Sequence, residues 1–198
     1  MTRRSGGLVY GNIDDTDNRI IRIDPSMRGI LAIDETVHAI HSGELFRVEQ
    51  RTAGDAFDIA SPMSFRISTP NTAVEIHMMI LLSCSTAAVL EMWEDDGTSH
   101  YVVTGGTAIT PVNHNRINAS SFCGKVYTGP TITAASTGVR LLNMHLGGAF
   151  VGGELNSGAE WVLAKNTEYC VRATSLADNN EGSLTLFLHA HENLTDKD

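Results

Sequence analysis

Basic charge is scarce in this chain. Lysine and arginine number 14 against 23 aspartates and glutamates, for a formal charge of −9, and no two basic residues adjoin after Arg4. A phosphate-tracking stripe needs the opposite balance, so no nucleic-acid partner is expected. Long apolar runs are missing too. The longest, Met78 to Leu82, is far too short to cross a bilayer, and no membrane partner is expected. Met1–Gly7 has no apolar stretch, so no secretory signal is read there and synthesis in a cytoplasm is the expectation. The cysteines are three, Cys84, Cys123 and Cys170, widely spaced and without a CxxC pair. That spacing excludes the usual zinc ribbons, and Cys84 and Cys170, in apolar surroundings, read as buried thiols.

Catalytic signatures are likewise missing. No GxSxG elbow, P-loop, dinucleotide fingerprint or HExxH helix occurs. Asp14, Asp15 and Asp17 resemble half a calcium loop but lack its glycine and its closing glutamate. Asp95-Asp96 precedes Gly97, where turn geometry alone favours aspartate. The tract Leu146–Gly153 is glycine-rich, yet no helix follows to complete a phosphate cradle, and it reads as a loop. The expectation is a protein without catalytic residues, cofactor or metal.

What is present is strand text. Residues 1–37 mix scattered apolar residues with Gly, Asp, Asn and Arg around Pro25, and hold neither period for long. They read as an extended N-terminal arm with one short strand near Arg19–Ile23, ordered by contact with neighbours. Residues 38–191 read as one β domain, and 192–198 as a polar, frayed tail. Within the domain, Ala39–Gln50 carries Leu45, Phe46 and Val48. Ser64–Ser68 alternates with Phe65 and Ile67 on one face. Ala73–Cys84 places Val74, Ile76, Met78, Ile80 and Leu82 on one face and is continuous enough to be central in a sheet. Ala88–Glu94 leads to an Asp-Gly hairpin cue, with His100–Val103 returning. Thr107–Ile117 reads as an irregular loop around Pro111, Asn113 and Asn115. Shorter strands are expected at Lys125–Tyr127, Thr131–Thr133, Val139–His145 and Ala159–Leu163, then Glu168–Thr174. Gly182–His191 closes the domain with Leu184, Leu186 and Leu188 alternating. Many short strands, turn residues between them and no amphipathic helix give an all-β fold, a β-sandwich with the jelly roll among its candidate topologies.

A few side chains invite a chemical reading. His189 and His191 share a strand face at metal-ligating spacing, but no third ligand is evident, and exposed strand-end histidines are the simpler reading. Trp93 and Trp161 lie among apolar neighbours and read as core, although sugar-binding surfaces also use tryptophan. Arg116, in the loop Pro111-Val112-Asn113-His114-Asn115-Arg116, is open to two readings: a contact with a partner, or a brace bonding loop carbonyls.

Several phrases resemble a family of tailed-phage virion proteins, the head decoration or cement proteins. They are Phe65–Pro70 leading into Glu75–Met78, Glu91–Glu94, Gly106–Arg116, Gly129–Thr133, Glu160–Tyr169, Arg172–Ser175 and Ala177–Asn179. The resemblance covers roughly residues 40–191, and the Thr110–Arg116 loop, Thr-Pro-x-Asn-x-Asn-Arg, is its most specific element. It implies a β-sandwich coating an icosahedral head, with no catalytic residue to carry over. The expected partners are the major capsid protein and further copies of the chain, as dimer or trimer, and the expected location is the virion surface after synthesis in the host cytoplasm. Arm residues Arg3, Arg4, Leu8, Val9, Tyr10, Arg19, Ile20, Ile21, Arg22 and Ile23 are the expected interface. Pro111, Asn113, Asn115 and Arg116 form the expected structural loop. The alternative is a spike or tail module binding host glycans, with Tyr101 and Tyr127 as its plausible exposed aromatics. A cell-wall hydrolase would need converging carboxylates, which the sequence does not supply.

Overall fold

The structure is a computed structural model that describes residues 9–10, 20–21, 23–24, 29–30, 35–95, 101–117, 119–134, 140–147, 153–156 and 160–192. The chain divides into two units, Met1–His38 and Ala39–Asp198. The described residues of the leading unit include four two-residue strands: β1 (Val9–Tyr10), β2 (Ile20–Ile21), β3 (Ile23–Asp24) and β4 (Gly29–Ile30). β1 pairs with β2 and β3 with β4, both antiparallel. The one strand expected near Arg19–Ile23 is thus two, each in its own short ladder. Arg3, Arg4, Leu8, Arg19 and Arg22 lie outside the described residues, as do the side chains of Val9, Tyr10, Ile20, Ile21 and Ile23.

A short helix, α1 (Glu35–Ser42), spans the division. The sequence reading expected strand from Ala39 and no helix. The overlooked signal is Gly43, whose φ of 77° suits glycine and closes the helix. Gly43 N–H donates to Ile40 at 3.1 Å and Glu44 N–H to Ala39 at 2.9 Å, the paired bonds of a Schellman cap.

From there the chain is β: β5 (Leu45–Phe57), β6 (Met63–Ser68), β7 (Val74–Cys84), β8 (Ala88–Asp95), β9 (Tyr101–Thr104), β10 (Thr107–Ile109), β11 (Val112–Asn113), β12 (Lys125–Thr128), β13 (Thr131–Ala134), β14 (Arg140–Leu146), β15 (Gly153–Asn156), β16 (Trp161–Leu163), β17 (Glu168–Ser175) and β18 (Asn180–Glu192). Two sheets form the sandwich, ordered β11-β5-β18-β7-β15, with β16 also on β7, and β10-β12-β6-β17-β8-β14. Counting only β5, β6, β7, β8, β14, β15, β17 and β18, the four-strand cores run first-eighth-third-sixth and second-seventh-fourth-fifth. That is the double Greek key order of a jelly roll.

Period-two alternation explains why the sheets close on each other. Ile76, Met78, Ile80 and Leu82 of β7 and Leu184, Leu186 and Leu188 of β18 are at most 1% exposed. They meet Phe65 and Ile67 of β6, Leu90 and Met92 of β8, and Val171 of β17 in one cluster. Burial of each such side chain stabilises the fold by about 1.5–3 kcal/mol. Tyr169 joins them, and its hydroxyl accepts the Ala164 N–H at 2.8 Å. Trp93 is buried, but in a smaller cluster with Cys170, Val103 and Ile132 on the opposite face of its sheet.

The remaining differences have one cause, pairing across long sequence separations. Thr107–Ile117 is not a plain loop, because β10 finds β12 and β11 finds β5. The expected return hairpin onto β8 does not form. β17 and β14 occupy the two edges of β8, and β9 pairs with β13 instead. Gly153, expected in a loop, opens β15 on β7. Glu192, expected in the tail, ends β18 opposite Val74.

Candidate functional site

Pro111–Ile117 leaves the sandwich between β11 and the approach to β12, and its asparagines hold it in shape. Asn113 is 4% exposed. Its Nδ2 donates to the Gly43 carbonyl at 2.7 Å and toward Ser120, while its Oδ1 accepts the Asn115 N–H at 2.7 Å. Asn115 repeats the pattern one turn on. Its Nδ2 donates to the His41 carbonyl at 2.9 Å and its Oδ1 accepts the Ile117 N–H at 3.1 Å. These are Asx turns, in which a side-chain oxygen substitutes for a backbone carbonyl. The loop is thereby fastened to the helix cap at Gly43 and the last turn of α1. The asparagines brace the loop, and Arg116 is exposed. Ile117 beside it is 92% exposed and Val112 56%.

A second constellation lies on the outer face of the β18-β7 pair. The register sets His189 opposite His77 and His191 opposite Glu75. Since Ile76, Met78, Leu188 and Ala190 point inward, Glu75, His77, His189 and His191 all point out. His77 Nε2 lies 3.1 Å from His191 Nε2. His77 Nδ1 lies 3.2 Å from Glu160 Oε2, and His189 Nε2 3.7 Å from Glu44 Oε2. The rings crowd, with centroids of His77 and His191 4.8 Å apart and of His189 and His191 5.0 Å apart. Burial and then the neighbouring His191 hold His189 below its ordinary pKa, with Glu44 pulling the other way. Sequence reasoning placed His189 and His191 together but took them as exposed; both are half-buried. It missed His77 and Glu75, because only the β7-β18 register brings them close.

The other sheet's outer face is sealed by charge. Glu91, 8% exposed, receives Arg140 at 2.7 Å and Arg172 at 2.9 Å. The Arg172 guanidinium sits 4.5 Å above Trp93. Tyr127, a candidate sugar platform, has the Arg66 guanidinium 3.9 Å from its ring centre, while the side chain of Tyr101 lies outside the described residues. Asp95 accepts the Val103 N–H at 3.2 Å, and Asp96, with Asp14, Asp15 and Asp17, lies outside the description. A shallow polar depression of about 430 Å³ includes Glu49, Arg51, Ser83, Ser85, Glu181 and Ser183 in its lining. There Glu49 is already engaged on both oxygens, by Arg47 at 2.7 Å and by the Ser183 hydroxyl at 3.0 Å.

No family model matches the chain, and neither curated proteins nor solved structures yield a match.

Proposed function

We propose that the chain is a non-catalytic structural protein of a tailed-phage virion. In this reading it binds the outside of an icosahedral capsid, bridges neighbouring capsomers and works as a homo-oligomer on symmetry-repeated sites. The observation that carries the reading is the Pro111–Ile117 loop. The most specific phrase of the resemblance is built as a stiff projection, braced by two asparagines, that offers Arg116 and Ile117 outward. Binding through a pre-shaped loop avoids the ordering cost that a floppy one incurs. Many modest contacts of this kind on one particle sum to strong retention. The jelly-roll fold supports the reading only by analogy, because capsid and lectin domains share it.

The test is binding to emptied heads by the full chain and by an Arg116→Glu/Ile117→Asp double variant. The variant is expected to melt like the parent, since both side chains are exposed, and to lose at least about tenfold in affinity, a loss of about 1.4 kcal/mol. Equal binding by a folded variant contradicts the proposal. Retention on a glycan array instead of heads, abolished by Tyr101→Ala, would favour the host-glycan reading.

A further inference from the structure

We propose that Glu75, His77 and His191 form a site for one divalent transition metal ion of the zinc class, on the outer face of the β7-β18 pair. This inference does not depend on the virion reading. One ligand atom from each residue lies within 4.8 Å of the others. The two imidazole nitrogens are the decisive pair. Zinc holds nitrogen ligands at about 2.0–2.1 Å, so two of them at the tetrahedral angle stand about 3.3 Å apart. His77 Nε2 and His191 Nε2 stand 3.1 Å apart, and a small outward movement of either ring admits the ion. Glu75 Oε2, at 4.0 Å from His77 Nε2, is positioned as the third donor.

The surroundings favour the ligating form of His77. Its other nitrogen, Nδ1, faces the Glu160 carboxylate at 3.2 Å. The two groups stand at ion-pair distance without hydrogen-bond geometry, and a small turn of the ring would complete the carboxylate pairing that favours a proton on Nδ1 and leaves the Nε2 lone pair for a metal. The backbone supplies rigidity, because Glu75 and His77 are held to His191 and His189 by alternate rungs of one ladder in the middle of a sheet. Two nitrogens and one carboxylate select Zn²⁺, Co²⁺ or Ni²⁺ over Ca²⁺ or Mg²⁺, which take oxygen shells. The fourth position falls to water, to His189 by rotation of its ring, or to a donor from another molecule. An ion here ties the end of β18 to the start of β7.

The test uses the full chain, stripped with chelator and dialysed. Co²⁺ is added as a spectroscopic probe, and Zn²⁺ affinity is measured by competition with a chromogenic chelator. The proposal predicts one ion per chain, visible Co²⁺ bands of four- or five-coordinate strength, and displacement by Zn²⁺. Hundredfold Zn²⁺ excess over Kd should raise the melting temperature by about 5–10 °C. His77→Gln or His191→Gln should each weaken binding at least about a hundredfold and Glu75→Gln about tenfold, while His145→Gln, on the other sheet, leaves it unchanged. Absence of Co²⁺ bands in the parent chain overturns the proposal whatever the variants do. So does undiminished binding in folded His77→Gln or His191→Gln, or a near-ultraviolet sulfur-to-cobalt band abolished by Cys123→Ser, which would move the site to that exposed thiol.

Discussion

At the scale of single residues, one buried asparagine holds several chain segments together. Asn180 is fully buried. Its Oδ1 accepts the N–H groups of Ser85 and Thr86 and the Ser85 hydroxyl, at 2.9–3.0 Å. Its Nδ2 donates to Ser175 Oγ at 3.0 Å and toward the Ala87 carbonyl. One amide thus satisfies the β7-to-β8 turn and the end of β17. Removing it leaves several buried groups without partners, so Asn180→Ala should cost about 2–4 kcal/mol in urea unfolding. A loss under 1 kcal/mol would mean that the turn repacks or admits water. Nothing in the composition announces this role, because most of the groups Asn180 serves, those of Ser85, Thr86 and Ala87, lie some ninety residues away.

The thiols are a second matter of single residues, and here the sequence was readable. Cys84 and Cys170 are buried and Cys123 is exposed, and none of the three is in a disulfide. A thiol reagent should modify one cysteine in the native protein and three after unfolding. Burial pushes Cys170 from 9.0 up to about 12. Its contribution to stability is therefore complete below the unfolded value near 9 and declines as pH rises toward 12, since the unfolded thiol ionises first. Cys170→Ala should flatten the fall of unfolding free energy between pH 9 and 11. An unchanged slope would assign that fall to other groups.

Among the elements, those legible in advance were the strands whose buried face alternates without interruption, β6, β7 and the second half of β18. Their period is local information. What stayed hidden depends on distant partners. β10 and β11 are too short to show a period and exist because β12 and β5 accept them. The bulge near Asn180 in β18 follows from close packing, where a Cβ on Gly182 would stand 2.8 Å from both Met63 Cε and Phe57 Cδ1. The same holds for the two surface constellations. The Pro111–Arg116 phrase was visible, but its anchor on Gly43 was not. His189 and His191 were visible, but not the register that brings His77 to them. α1 was missed for a different reason: it is barely two turns, and only its glycine cap marks it. Gly43→Ala, forced into the left-handed region, should cost about 1–2 kcal/mol. It should also loosen the loop bonded to the Gly43 carbonyl, seen as faster amide exchange at Asn115 and Ile117. Unchanged exchange there would show that the loop holds itself without the cap.

At the largest scale, the unit Ala39–Asp198 is a jelly roll whose sheets bury an apolar core, with a braced loop and a histidine-rich sheet face. Among the described residues, the exposed large apolar side chains are scattered: Ile117, Val162, Ile59, Val112 and Leu176. Of these, Ile117 stands in the braced loop and Val112 in strand β11, which leads into it. The leading unit enters the proposal as a further attachment. Deleting residues 1–30 should reduce retention on heads if the arm contributes, and equal retention by the folded, truncated chain would remove the arm from the account while leaving the loop in it.

The account rests on the chain being a stoichiometric part of a particle, and the most direct measurement is its copy number per capsid. Quantitative mass spectrometry of gradient-purified virions should find it in a fixed ratio to the major capsid protein that corresponds to a set of symmetry-equivalent capsid sites. A chain that stays in the lysate, or that varies in ratio from one preparation to the next, would contradict the account.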